Sequence, residues 1–211
     1  MIEDRLIEVI SAANKVKGDG QAMDNKIARA ILAVHIEAKD YISIQTRYES
    51  EPSQCIPLSA GGTHLLGLNF RDFLPDGYRI IPLEQITSIT HSEADAFLGS
   101  IVKREGISSF LNDAPRMNLA GWPDIFQFLL ETKEFVIVET GEDECLDVGE
   151  VMAATSNGIE MRCFDAAGIW DEEKTFILYK DLSGVEIRSH YIKMFTKYLK
   201  DKGMVDESII E

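Results

Sequence analysis

Apolar residues recur at helical spacing as soon as the chain begins. Ile2, Leu6, Val9, Ile10 and Ala13 share one face, while Glu3, Asp4, Arg5 and Glu8 lie outside it. The stretch "KGDGQ" breaks that helix. A second helical pattern follows, with Asp24 or Asn25 as the N-cap and Ile27, Ile31, Leu32 and His35 repeating at three and four. After Lys39-Asp40 the period shortens to that of a strand, and "YISIQT" (41–46) is rich in β-branched and aromatic residues. "RYESEPSQC" reads as a turn, or as a strand opening interrupted by Pro52. "IPLSA" and "THLLGLNF" flank Gly61-Gly62 as a hairpin. "GYRIIPL" and "ITSIT" bring the total to about five strands before a helix at "SEADAFLGSIVKREG", where Ser92 is the natural N-cap with Glu93 and Asp95 in the first turn.

From Gly121 the same order returns. "PDIFQFLLETK" predicts a short helix and "EFVIVET" a strand. "CLDVGEVMAAT" and "GIEMRCF" form a hairpin across Ser156-Asn157-Gly158, whose Asn-Gly pair predicts a turn with Gly158 at positive φ. "KTFILYK" and "SGVEI" follow, then the helix "SHYIKMFTKYLKDKG" ended by Gly203. Residues 37–70 lie ungapped on 131–164, placing Tyr41 on Phe135, Ile44 on Val138, Thr46 on Thr140 and Phe70 on Phe164. Two extra residues in the second copy then bring Ile80 onto Phe176, Ile81 onto Ile177, Ile86 onto Leu182 and Ile89 onto Val185. Identities are few, but apolar positions and turns agree, which predicts an internal duplication. The expected divisions are an N-terminal helix and turn (1–20), a first repeat (21–106), a linker (107–123), a second repeat (124–203) and a C-terminal tail (204–211). The linker carries Phe110, Leu111 and Trp122, which suggests that it packs on something.

Composition then narrows the class. The chain has 211 residues, 45% of them hydrophobic, enough for one large core or two small ones. Acids outnumber bases 36 to 21, for a formal net charge of -15. Phosphate backbones are bound largely by Lys and Arg releasing counterions, so nucleic acid is disfavoured as a partner, while basic proteins or cations suit the field. Cys55, Cys145 and Cys163 are odd in number and in no metal or redox spacing, which reads as buried free thiols in a reducing compartment. The acidic N-terminal segment lacks the character of a signal peptide, and no apolar run spans a bilayer, so the expected location is cytoplasmic with no membrane partner.

A helix followed by five short strands, with a Gly-marked bend in the second, resembles the Sm-like (LSm) small β-barrel. In the second copy "VGEVMAATSNGIEMRCFDA" (148–166) resembles that family's strand 2–strand 3 hairpin, and "FILYKDLSGVEI" (176–187) its strand 4–strand 5 segment. The resemblance implies an α+β chain of two tandem small five-stranded Sm-like or SH3-like barrels with flanking helices, covering most of residues 24–203. Sm-like proteins bind single-stranded RNA on the rim of a ring, through an Asp-x-x-Met-Asn hairpin and an Arg-Gly or Lys-Gly turn. Here the hairpin positions are Ser156, Ile159 and Glu160 in one copy and Gly62, Leu65 and Leu66 in the other. Lys180-Asp181 and Glu84-Gln85 stand in the strand 4–5 turns. The resemblance therefore implies the fold without the family's RNA site, and leaves ring assembly and oligomeric state open.

Candidate chemistry is sparse. There is no Ser-His-Asp set, nucleophile elbow, phosphate loop or dinucleotide fingerprint, and the reading assigns no catalytic, cofactor or metal residues. His35, His64, His91 and His190 show no ligand spacing and read as capping or surface residues. The densest charge is "ETGEDECLDVGE" (139–150), which lacks the ligand pattern of a calcium loop. Three uses stay open for it: a solvated loop, a docking surface for a basic partner, or a cation site. "GIWDEEK" (168–174) sets Trp170 beside carboxylates, a composition that suits a binding surface, although Trp170 can equally pack under its own loop. The candidate partner-binding residues are thus Glu142, Asp143, Glu144, Asp147, Trp170, Asp171 and Glu172. The leading expectation is a non-enzymatic interaction protein, such as an immunity-type or regulatory inhibitor, that binds a basic protein through an acidic surface. An Sm-like RNA binder with a displaced site and a hydrolase of unrecognised type are the alternatives.

Overall fold

The computed structural model describes residues 22–141 and 146–201. The N-terminal helix, the acids Glu142, Asp143 and Glu144, Cys145, Gly203 and the C-terminal tail lie outside the described residues. The chain is α+β and divides into two compact units. The first comprises residues 22–76 and 80–115, and the second residues 77–79 and those from Arg116 onward. Among the described residues there are ten strands, five helices and two short 3-10 turns, and no helix is long and apolar enough to cross a membrane.

In the first unit, α1 (Asn25–Ala38) starts where the Asp24 carboxylate accepts the amides of Lys26 and Ile27, at 2.9 and 3.2 Å. It ends at Lys39, which takes the left-handed conformation. The face carrying Ala28, Ile31 and Leu32 is buried. Five strands follow: β1 (Ile42–Thr46), β2 (Ser53–Ala60), β3 (His64–Arg71), β4 (Leu74–Pro82) and β5 (Ile86–Thr90), the last two joined by a 3-10 turn at Leu83–Gln85. β2 opens directly after Pro52. β1 alternates buried and half-buried positions, so Ile42, Ile44 and Thr46 face inward. Ile42 and Ile44 meet Leu32, Leu65, Ile81, Leu83 and Ile86 in one cluster, each Leu or Ile contributing roughly 1.5–3 kcal/mol by leaving water. Helix α2 (Glu93–Arg104) begins with a full capping box, Ser92 accepting from the Asp95 amide while Asp95 accepts from the Ser92 amide.

The expected linker is partly helical. After α3 (Ser108–Asn112) the chain runs irregularly to Gly121, and buried Trp122 is already the first residue of α4 (Trp122–Thr132). The second unit continues with β6 (Phe135–Thr140), β7 (Leu146–Ala154), β8 (Gly158–Cys163), β9 (Thr175–Leu178), a 3-10 turn at Tyr179–Asp181, β10 (Leu182–Ile187) and α5 (His190–Asp201). Its core joins Phe135, Ile137 and Phe164 to Ile192 and Leu199 of α5.

The strand order is β5-β1-β2-β3-β4 in the first unit and β10-β6-β7-β8-β9 in the second. The first and last strand of each order do not pair with each other, so the closed barrels expected from the sequence are instead open antiparallel sheets. Within each unit the registers match position for position. Ile42 pairs with Cys55 as Val136 pairs with Gly149, and Ile44 with Ile89 as Val138 with Val185. A bulge falls between Pro57 and Ser59 in β2 and between Val151 and Ala153 in β7. A proline lacks the amide needed for the ladder, yet the bulge recurs where no proline stands, so it belongs to the architecture rather than to Pro57.

Two glycines lie close to the facing strand of their hairpins. A Cβ on Gly149 of β7 would lie 2.0 Å from the Arg162 carbonyl oxygen, and a Cβ on Gly67 of β3 would lie 3.3 Å from the Cys55 side chain. Cys55 is the counterpart of Gly149, and Met161 the counterpart of Gly67. Each unit therefore leaves one of these two positions bare, on opposite strands. The β7–β8 turn corrects an expectation. Gly158 is not at positive φ; it opens β8, and a side chain is excluded because its Cβ would sit 2.4 Å from the Ile177 carbonyl oxygen. The turn itself is held by Thr155, whose amide donates to the Gly158 carbonyl at 2.9 Å and whose hydroxyl accepts the Gly158 amide at 3.1 Å.

Candidate functional site

The loop from Asp165 to Trp170 is built around one carboxylate. Asp165 Oδ1 accepts the amides of Ala167 and Ile169, both at 2.9 Å, and the Asp165 amide donates to the Ile169 carbonyl at 3.0 Å. This closes the loop, so that Trp170 bridges back to Phe164 and the Asp171 amide donates to the Cys163 carbonyl at 2.9 Å. Trp170 thus does not project freely. Its half-buried ring packs edge-on to Phe164 at 5.3 Å and lies 6.1 Å from Phe135, and the Arg162 guanidinium covers it at 4.5 Å. Its buried Nε1 has no hydrogen-bond partner among the described residues.

Two of the candidate acids converge beside it. Asp147 stands near the start of β7, next to β6, where it pairs with Val138; Asp171 follows Trp170. Burial raises the Asp147 carboxyl above its ordinary range, and the nearby charge of Asp171 raises it further. Burial, with the charges of Asp147 and Asp171 adding to it, pushes the Cys163 thiol up to about 11, so it stays protonated and a poor nucleophile at neutral pH. Asp171 and Glu172 are exposed. Among the described residues no Lys or Arg forms an ion pair with Asp147, Asp171 or Glu172. The cations nearby are engaged elsewhere: Arg162 with Trp170 and, at 3.8 Å, Glu150; Lys174 with Glu160 at 3.2 Å.

The positions corresponding to the Sm-like RNA contacts have other duties. Ile159, Leu65 and Leu66 are buried, and Glu160 is the partner of Lys174. Tyr179, beside Lys180, gives its hydroxyl to the Thr155 carbonyl at 3.1 Å and stacks on Phe126. The sequence reading missed a second group: His35, Asp40 and His91, treated there as unrelated residues, come together in the first unit. No local signal joins them, because His35 sits in α1 and His91 in the connection after β5. No known protein family, curated protein or solved structure matches the chain.

Proposed function

We propose that the chain is a non-enzymatic protein-binding molecule made of two tandem Sm-like units, and that it docks a basic protein on the acidic face around Trp170. The duplication is supported by the shared strand order, registers and bulge, and the Sm-like assignment by the helix-plus-five-strand order with its bend glycine at Gly149. The docking role rests on one observation: the charge of Asp171 stands close enough to add to the effect of burial in raising the Asp147 carboxyl, and neither they nor Glu172 has a cationic partner among the described residues. Like charges held together cost free energy in the isolated molecule, and a basic partner relieves that cost. Glu142, Asp143 and Glu144, adjacent in sequence to Asp147, add three further negative charges to the same stretch. An inhibitor that covers a basic target by charge complementarity is one concrete form of this function.

The test compares two triple variants of equal charge change. One is Asp147→Asn/Asp171→Asn/Glu172→Gln, and the other Glu37→Gln/Glu51→Gln/Glu105→Gln, on exposed positions of the first unit. With a defined arginine- and lysine-rich peptide as probe, the first variant should slow association at least tenfold and flatten its salt dependence, the second less than threefold. Equal effects would reduce the site to bulk charge. Tighter binding of a single-stranded RNA probe than of the peptide by the unaltered chain would overturn the reading in favour of RNA.

A further inference from the structure

We propose that His35, Asp40 and His91 form a binding site for a divalent transition-metal ion of the zinc class. One potential ligand atom from each residue lies within 4.8 Å of one from each of the others. The site is assembled by the chain reversal at the end of α1. Lys39, in the left-handed conformation, donates its amide to the Ile36 carbonyl at 3.3 Å, and the Asp40 amide reaches back to the His35 carbonyl at 3.0 Å. That pair of bonds folds the chain over the last turn and sets the Asp40 carboxylate against the His35 ring, Oδ2 3.0 Å from Nδ1. His91 arrives from the connection between β5 and α2. Its ring lies 5.4 Å from that of His35, and its Nδ1 is 3.0 Å from the Tyr41 carbonyl oxygen.

These hydrogen bonds determine which nitrogens are available. A carbonyl oxygen only accepts, so Nδ1 of His91 carries the proton and Nε2 keeps its lone pair. At His35 the proton lies between Nδ1 and the Asp40 carboxylate, and an ion held by both of these atoms takes its place. Nε2 of His91 has no protein partner among the described residues. A carbonyl holding the far side of a histidine, as that of Tyr41 holds His91, is the arrangement that orients an imidazole ligand and makes it more basic toward a metal. Zinc–imidazole bonds of about 2.0 Å set ligand-to-ligand edges of about 3.3 Å in a tetrahedron. His35 Nδ1 and Asp40 Oδ2 already stand 3.0 Å apart, close to that edge, and the remaining adjustment falls on the exposed side chain of His91. His91 is exposed, which gives an ion a way in, and the negative ends of the α1 carbonyls favour a cation at this helix terminus.

The fold does not require imidazoles here. The second unit makes the same reversal, with the Glu134 amide donating to the Leu129 carbonyl at 3.1 Å. There the counterparts of His35 and His91 are the fully buried Leu129 and Ile187, and the counterpart of Asp40, Glu134, is bound by Arg188. A single architecture thus carries apolar packing in one unit and a two-histidine, one-carboxylate set in the other.

The test titrates the full chain with Zn2+ by calorimetry and with Co2+ by visible absorbance. The chain should bind one ion, with a Co2+ spectrum of low-symmetry nitrogen and oxygen ligation. His91→Ala, at an exposed position, should weaken Zn2+ binding at least 100-fold while leaving the metal-free melting curve in place. Asp40→Asn, which keeps the shape but removes the charge of the carboxylate ligand, should weaken it at least tenfold. If the His35→Ala/His91→Ala double variant binds Zn2+ as the unaltered chain does, the ion sits on other carboxylates and the proposal fails. It fails equally if the unaltered chain takes up no stoichiometric ion. Neither outcome bears on docking at the second unit, which the peptide probe reads separately.

Discussion

His64 offers the most quantitative test of the fold. It opens β3 with its side chain 4% exposed, its Nδ1 2.7 Å from the Thr63 hydroxyl. Burial pushes the imidazole from its ordinary 6.5 down to about 4, so the native chain holds His64 neutral where the unfolded chain protonates it. The unfolded state therefore takes up the proton first as pH falls. Stability contributed by neutral His64 is complete above pH 6.5 and is lost progressively toward pH 4. With these two values the linkage relation gives a loss of about 2 kcal/mol between pH 7 and pH 5, and roughly 3 kcal/mol by pH 4. His64→Leu removes the titration while keeping an apolar side chain of similar size. Urea unfolding followed by circular dichroism at several pH values should show the unaltered chain losing about 2 kcal/mol more than the variant between pH 7 and pH 5. An NMR titration of the His64 ring should report the same depressed value directly. Parallel pH profiles for the two proteins, or a ring that titrates near 6.5, would refute the burial argument.

Two further perturbations probe local geometry. Gly149→Ala places a methyl group against the Arg162 carbonyl and should destabilise by about 1–3 kcal/mol, read as a lower melting temperature; an unchanged melting point would mean that the strands do not approach as described. Ser92→Ala removes the capping box of α2 and should cost about 1 kcal/mol, whereas Ser92→Gly should cost only a few tenths; equal losses would show that the hydroxyl is not the cap.

What could be read from the sequence was what short-range chemistry encodes. Asp24 and Ser92 announced their helices because a cap acts on amides two or three residues away. The strands of both units were legible because inward positions repeat at fixed period. Gly158 was recognised as a position closed to side chains but for the wrong reason: the obstruction is a carbonyl on β9, which no local pattern records. Trp170 was left open between surface and core, and its aromatic neighbour Phe135 lies on a different strand. The His35–Asp40–His91 group was invisible for the same reason, since the reversal after α1 and the arrival of His91 are both needed to assemble it. Sheet closure depends on which distant strands pair, and strand periodicity carries no information about that.

The opposed bare positions at Gly149 and Gly67 have a consequence for ancestry. If both units descend from one copy, at least two substitutions separate Cys55 with Gly67 from Gly149 with Met161. The two obstacles differ in kind: on β3 a new side chain meets only the side chain of Cys55, whereas on β7 it meets the backbone of Arg162 and Cys163. A substitution on β3 is therefore answered by a change of one facing side chain, but one on β7 needs the facing backbone itself to shift, so the β7 glycine is the harder of the two to lose. A hairpin exchanged whole between the units would carry its own solution with it; a single strand exchanged alone would not.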